Sequence, residues 1–405
     1  MRILLAYFSQ FVNRSGGMEH VCCEFADAMT ARGHQVHIVY ASLLKGEPFY
    51  HIEEKVNLHN LFHLCPKDPI DSGKYLTHPQ KIWREIIRTF SKNEAKEWSS
   101  QHRNQRYHQL LEQLFIEINP DVIVSFEPRT TASVLYGGKH FKPIITMMHF
   151  NPEFILGTAT HAEKESIEKS DFVQVLMPSY KEKVENICPM AHVLSIPNPV
   201  PQYAVQADLK KKKDFYTIIN VARFDKKQKQ QHLLVQAFSQ LEGVFPNWNL
   251  ELWGDPQNNQ AYIEELKSLV IAKNLQDRIF FRGTTDDVMS VYIHSDIFCL
   301  PSIYEGFPLA MTEAMSAGLP AVGLNICPAV NEIIKDGQNG YLSDSDINSL
   351  AETLGILMKD RDKRIAMGAY AHESMKQYSP KSIWDRWEKL IIQCIHQREI
   401  RDTCK

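Results

Sequence analysis

Two kinds of apolar spacing alternate along the chain. Short apolar runs at 3–8, 36–40, 121–126, 143–148 and 172–177 are separated by longer segments in which apolar residues return every three or four positions. The runs have the composition of strands buried on both faces, and the spacing between them is that of helices laid on a sheet. Between the first two runs Val21, Phe25, Ala28 and Met29 share one helical face, and Gly33 closes that helix. The alternation then pauses. Ile196-Pro197-Asn198-Pro199-Val200-Pro201 denies both helix and central strand, and lysines at 210–213 follow, so an interdomain linker is expected there. A second series of runs, at 216–221, 250–253, 279–282, 297–300 and 320–323, resumes the pattern. Strand and helix in strict turn predict parallel sheets, hence an α/β chain of two doubly wound, Rossmann-like domains, 1–197 and 198–380, facing each other across a cleft.

Composition narrows the classes of partner. The 405 residues suit two or three domains of roughly 100–200 residues, and 44% hydrophobic with 23% charged residues is ordinary globular usage. Lys and Arg number 45 against 48 Asp and Glu, a net charge of −3, which excludes nucleic acid held by bulk charge. An anionic ligand must therefore meet a local cluster. The first run ends at Ser9-Gln10 without a small-residue cleavage site, and no uncharged apolar run is long enough to span a bilayer. Cys22, Cys23, Cys65, Cys188, Cys299, Cys327, Cys394 and Cys404 show no CxxC spacing, so they are expected to be reduced thiols of a cytoplasmic protein.

From 81 to 117 the chain is polar, with helical period. Arg84, Arg88, Lys92, Lys96, Arg103 and Arg106 accompany Trp83, Phe90 and Trp98 there. The stretch reads first as a solvated helical hairpin and second as a basic, aromatic-bearing surface for peripheral contact with anionic lipid; Glu85, Glu94 and Glu97 dilute its charge.

The segment richest in chemistry is Tyr304-Glu305-Gly306-Phe307-Pro308-Leu309-Ala310-Met311-Thr312-Glu313-Ala314-Met315, just after the run that ends at Leu300. Pro308 fits the first turn of a helix, where a missing N–H costs nothing, and Gly306 lets the main chain approach a ligand. A helix start at a strand's carboxyl end is where open α/β sheets bind ligands, and its free amides favour an anion. Glu305 lies outside that helix and Glu313 roughly 7.5 Å along it, so the two carboxylates can grip different hydroxyls of one long ligand. As plain structure, Glu305 complements the helix dipole and Glu313 is an exposed helix residue, yet Met311, Ala314 and Met315 give Glu313 apolar neighbours.

Arg223 follows the run 216–221 and Lys229 precedes the next helix, so both cations can point toward the same strand-end crevice as Glu305. A diphosphate leaving group wants that arrangement. The alternative is a solvated basic loop, because Lys226, Lys227 and Lys229 form a run. Gly16 and Gly17, in Ser15-Gly16-Gly17-Met18-Glu19, join the first strand to its helix and serve a bare tight turn as readily as a phosphate. The GxGxxG pattern is absent and the second run ends at Tyr40 rather than at an acid, which counts against a nicotinamide dehydrogenase. His149 again stands at a strand's carboxyl end, as a packed residue or a catalytic one. Asp344-Ser345-Asp346 has a metal-holding spacing, but Asp346 is placed to cap the following helix, and no metal is assigned.

Taken together these residues resemble the family 4 glycosyltransferases, retaining enzymes of the GT-B fold. The family's signature, a glutamate, seven residues and a second glutamate, is matched by Glu305 and Glu313. Also similar are Gly16-Gly17-Met18-Glu19, Pro197-Asn198, Arg223 with Lys229, Gly283, Pro301-Ser302 and Gly318-Leu319-Pro320. The resemblance implies that Arg223 and Lys229 hold a donor diphosphate, that the amides of Gly306, Phe307, Pro308 and Leu309 meet the donor sugar and phosphate, and that Glu305 contacts the sugar. It gives Glu313 the ribose, Gly17 the phosphate, the main chain at Arg282 and Gly283 the base, and His149 the donor sugar. It also implies a last helix, 381–405, that crosses back to the first domain. Two positions depart from the pattern: Gln230 replaces the glycine that usually follows the lysine, and Phe150 an acid that often follows the histidine. The expected activity is transfer of a hexosyl group from a nucleotide diphosphate sugar to a glycan or lipid-linked glycan, without metal or cofactor. Similarity to capsule and lipopolysaccharide transferases favours a UDP-sugar. GDP-mannose, an epimerase or phosphorylase on the same fold, and an inactive glycan-binding subunit are the alternatives.

Overall fold

The computed structural model describes residues 1–14, 16–63, 76–136, 142–257 and 259–403. Ser15, Cys65 and Cys404 lie outside them. Seven strands form one parallel sheet: β1 (Arg2–Tyr7), β2 (Gln35–Tyr40), β3 (Asn57–Asn60), β4 (Val122–Ser125), β5 (Ile144–Met148), β6 (Phe172–Val175) and β7 (Val193–Ser195). Six form a second: β8 (Tyr216–Val221), β9 (Trp248–Trp253), β10 (Ile279–Gly283), β11 (Ile297–Leu300), β12 (Ala321–Leu324) and β13 (Gly340–Ser343). Their orders are β3-β2-β1-β4-β5-β6-β7 and β10-β9-β8-β11-β12-β13. In each sheet the chain winds outward, then returns beside its first strand, so the winding reverses between β1 and β4 and between β8 and β11. Carboxyl ends next to such a reversal are where these sheets bind ligands.

The sheets belong to two compact units, Met1–Pro197 with Ile383–Lys405, and Asn198–Ser382. Ten expected strands are present. β3, β7 and β13 were not expected, and each is an edge strand. The first unit buries Ile3, Leu5, Val36, Ile38 and Val124 against the helix Gly17–Ala31. That core also takes in Ile383, Trp384, Trp387, Leu390 and Ile391 of the helix Pro380–Thr403, with both tryptophans edge-on to Phe25 at 5.3 and 5.0 Å between ring centres. The second unit closes around Ile218, Leu234, Phe238, Trp248, Leu250 and Leu266.

The stretch 81–117 is not one solvated hairpin. The helix His78–Phe90 buries no residue, whereas Lys92–Ile118 buries Tyr107, Leu111 and Leu114 and holds Arg103 in an ion pair with Glu163 at 3.3 Å. Cys22, Cys23, Cys188, Cys299, Cys327 and Cys394 are free, buried thiols.

Candidate active site

In the second unit the carboxyl ends of β8 and β11 carry the groups that the sequence singles out. Lys229 Nζ lies 2.5 Å from Glu305 Oε1, and both side chains are largely buried, 15% and 7% exposed. An ion pair this dry gains from the low local dielectric but leaves a costly orphan when one partner is removed. Arg223 is drawn to the same place through Gln228: its Nη2 donates to Gln228 Oε1, while Gln228 Nε2 donates to Tyr304 O at 2.9 Å and Ile303 N–H donates to Gln228 O at 3.0 Å. Gln228 thus ties the arginine to the segment that carries Glu305. Of the lysine run, Lys226 turns instead to Glu265, 2.5 Å away.

Asp225 shapes this loop. Its Oδ1 accepts from Lys227 N–H and Gln228 N–H, both at 2.9 Å, and its carbonyl accepts from Lys229 N–H and Gln230 N–H, again at 2.9 Å. Gln230 adopts φ +47°, ψ 42°, the left-handed conformation that glycine takes without strain. The departure from the family's glycine therefore leaves the turn intact, and Lys229 still reaches Glu305.

The helix after Glu305 runs from Leu309 to Ser316, so Pro308 stands just before it rather than in its first turn. Pro308 has no N–H, and Leu309 N–H is spent on Phe307 O at 2.9 Å. Of the four residues expected to offer amides to a ligand, the geometry leaves Gly306 and Phe307. The Phe307 ring is buried edge-on to Tyr378, 5.7 Å between centres. Glu313 accepts a hydrogen bond from Tyr292 Oη at 3.0 Å. Burial pushes the Glu313 carboxyl above its ordinary value, against the lowering effect of that bond, and drives the Tyr292 phenol far up.

Gly283 has φ +74° at a register shift between β10 and β9, and its carbonyl accepts from Gly254 N–H at 2.8 Å. A Cβ on Gly254 would lie 2.3 Å from Ala222 O, so only glycine fits there. Arg282 turns its guanidinium onto Glu251 at 2.6 Å, leaving main chain along this edge. Asp346 caps the helix Ile347–Lys359, its Oδ1 accepting from Asn348 N–H at 2.9 Å and Ser349 N–H at 3.0 Å.

The first unit presents different chemistry at its own carboxyl edge. Gly16 precedes and Gly17 opens the first helix; Glu19 in its first turn accepts from Tyr7 Oη at 2.9 Å. His149 is 7% exposed and stacks on Phe126 at 5.2 Å, and burial lowers its pKa to about 4. It is a neutral imidazole, and its buried Nε2 has no hydrogen-bond partner among the described residues. Phe150, beside it, is half exposed.

Residues 15–202 match the model described as Glycosyltransferase Family 4, and residues 203–374 match that of Glycosyl transferases group 1. The chain belongs to the family 4 glycosyltransferases. The transferase is 24% identical over 393 residues to an uncharacterized glycosyltransferase of Haemophilus influenzae, covering 96% of this chain and 99% of that one. It is 26% identical to the lipopolysaccharide 1,6-galactosyltransferase of Escherichia coli, over 98% and 99% of the two chains. Among solved structures it superposes on the sucrose-phosphate synthase of Thermosynechococcus elongatus with a TM-score of 0.76 at 18% identity, over 98% of this chain and all of the other. The fold is GT-B, with two parallel-sheet Rossmann-like domains. Among the described residues, no helix is long and apolar enough to cross a membrane.

Sequence reasoning missed Gln228, Asp225, Tyr292 and Gly254 in this glycosyltransferase. Asp225 alone left a signal, an aspartate placed to bond the main chain two residues on. The other three act through partners far away in the chain, such as Tyr304 for Gln228 and Glu313 for Tyr292.

Proposed function

We propose that this glycosyltransferase moves a hexosyl group, with retention of anomeric configuration, from a UDP-sugar to a hydroxyl of a glycan or lipid-linked glycan of a surface polysaccharide, at the cytoplasmic face of the membrane. The observation that carries the proposal is the buried Lys229–Glu305 pair, linked through Gln228 to Arg223. A diphosphate drawn to Lys229 and Arg223 meets fixed positive charge that needs no reorganisation as the leaving group gains negative charge. The Gly306 and Phe307 amides add donors at the same edge. Glu305, freed from part of its lysine's attention, is then available to a sugar hydroxyl, and Glu313, aimed by Tyr292, to the ribose. No metal is required in this scheme, because the cations are the protein's own.

The main chain around Gly283 and Gly254 offers the base a flat polar edge. We assign Gly16, Gly17 and the neutral His149 of the first unit to phosphate and sugar; the Nε2 of His149 is buried and, among the described residues, without a hydrogen-bond partner, so a hydroxyl reaches it only when the side chains covering it move. We assign no carboxylate as a covalent nucleophile; the departing phosphate oxygen takes the acceptor's proton on the leaving-group side. The test is a panel of UDP- and GDP-sugars scored by released nucleotide, with and without chelator, and by the anomer formed. Turnover of UDP-sugars, unaffected by chelator and with retention, is the expected result. A GDP-mannose preference, a chelator-sensitive rate or an inverted product overturns the corresponding part.

A further inference from the structure

The helix His78–Phe90 carries its own start signals: Thr77 N–H donates to Gln80 Oε1 at 2.8 Å in a capping box, and Pro79 lies in the first turn. At about 100° per residue, Ile82, Trp83, Ile86, Ile87 and Phe90 fall on one face and Lys81, Arg84 and Arg88 on the other. A surface helix ordinarily turns its apolar face to the core. This one is turned away from it. Its half-buried positions are Gln80, Lys81, Arg84 and Ile87, while Ile82, Trp83, Ile86 and Phe90 are 55%, 54%, 43% and 85% exposed. Caps hold the helix in shape, and the side chains with most to gain from leaving water face outward.

Its place in the fold adds a second observation. The neighbouring helix Lys92–Ile118 has 27 residues, about 40 Å of length, and its end leads directly into the start of β4. Tyr107 packs edge-on against Phe8, just beyond the carboxyl end of β1, at 5.6 Å between ring centres. The part of the helix before Tyr107 therefore extends past the carboxyl edge of the first sheet, the edge that also carries His149. There Lys96 Nζ bonds Thr158 O, the end of the helix Pro152–Thr158 on which Phe154 is 64% exposed. Residues 78–92 hold four cations, Lys81, Arg84, Arg88 and Lys92, against one carboxylate, Glu85, which bridges Arg84 at 2.6 Å and Arg88 at 3.4 Å.

We propose that the helix 78–90 lies in the surface of an anionic phospholipid bilayer, with Ile82, Trp83, Ile86 and Phe90 in the acyl boundary and the basic residues at the headgroups. Tryptophan and phenylalanine opposite lysine and arginine are the chemistry of an interfacial helix, and the excess positive charge selects anionic lipid. The docked bilayer lies beside the carboxyl edge of the first sheet. That it also carries the acceptor rests on the reading under Proposed function; the docking does not.

The test is co-sedimentation of the full chain with phosphatidylcholine vesicles, with and without phosphatidylglycerol, at physiological ionic strength. The chain is expected to pellet with the anionic vesicles. Trp83→Ser/Phe90→Ser should bind them at least about tenfold more weakly, and Lys81→Glu/Arg88→Glu should lose the preference for phosphatidylglycerol. Nucleotide release without vesicles should be unchanged in both variants, which separates loss of docking from failure of the transferase reading. A chain that stays in the supernatant overturns the proposal, as does a serine variant that pellets like the unaltered chain. So does a dimer in sedimentation velocity that the serine variant abolishes, because a second copy would then cover the face. A lower thermal midpoint in the serine variant overturns it as well, since the face would then be packed within the protein.

Discussion

The two units solve the same winding with different electrostatics at their carboxyl edges. In the second, charge is present in advance and already matched: Lys229 with Glu305, and Arg223 fixed through Gln228. In the first, the edge carries His149, a neutral imidazole whose Nε2 lacks a partner among the described residues, and just past β4 the carboxyl of Glu127, which burial pushes up. A prepaid pair of opposite charges suits a ligand that brings a diphosphate and sheds it. The contrast teaches that a repeated winding fixes where a strand-end edge lies but not the charge it carries.

The widest split between the edges should come from Lys229→Ala, which removes a cation from the leaving group and strands Glu305 without its lysine. Nucleotide release should fall by about 10²–10³-fold, as for loss of one preorganised transition-state donor. Removing one partner of a buried pair should also cost about 3–5 kcal/mol of stability in a denaturant titration. Glu305→Gln keeps shape and hydrogen-bonding capacity, and should lose activity with a smaller stability cost. Wild-type release by both variants would end the assignment. Next in size is Tyr292→Phe. It deletes the hydrogen bond to Glu313, worth about 1.5–3 kcal/mol because the acceptor is charged, and should raise the donor KM by roughly tenfold while changing kcat less.

Acid should separate the units more gently. Burial lowers His149 and His37 to about 4 from 6.5, and lowers His20 and His59 as well, all in the first unit; His232 is the lowered histidine of the second. A lowered histidine is protonated first in the unfolded chain, so its contribution is full above 6.5 and is lost as pH falls toward 4. Buried Glu313 and Asp296 are raised and act in the opposite direction in the second unit, as Glu127 does in the first. Hydrogen exchange between pH 7 and pH 5 should therefore show protection lost first in the first unit, and His149→Phe should lessen that loss. The smallest effect belongs to Gln230→Gly, which relieves a left-handed residue and should raise stability by up to about 1 kcal/mol with transfer unchanged.

Legibility in the sequence followed physical context. β1, β2, β4, β5 and β6 are central strands whose apolar runs announce them. β3 reads Asn57-Leu58-His59-Asn60, and β13 contains Gly340; edge strands pack on fewer neighbours and can stay polar. Glu305, Glu313, Arg223 and Lys229 stood out because their order and spacing are a chemical pattern along one stretch or two. Gln228 and Tyr292 did not, because what each does depends on a partner brought near by folding. The stretch 81–117 was legible as helical in period and as basic with aromatic residues, but the direction in which the apolar side chains of 78–90 point is decided by the helix beside it, which sequence period does not record.

The helix Pro380–Thr403 has a consequence for how the protein comes into being. The first unit is begun at Met1, yet its core is completed by Trp384, Trp387 and Ile391. On the ribosome the Phe25 face stays uncovered by those residues until the whole second unit has emerged, whereas the opposite face of the sheet closes with residues no later than Ile144. A chaperone that shields the Phe25 face therefore has its longest window in the interval before those tryptophans are released.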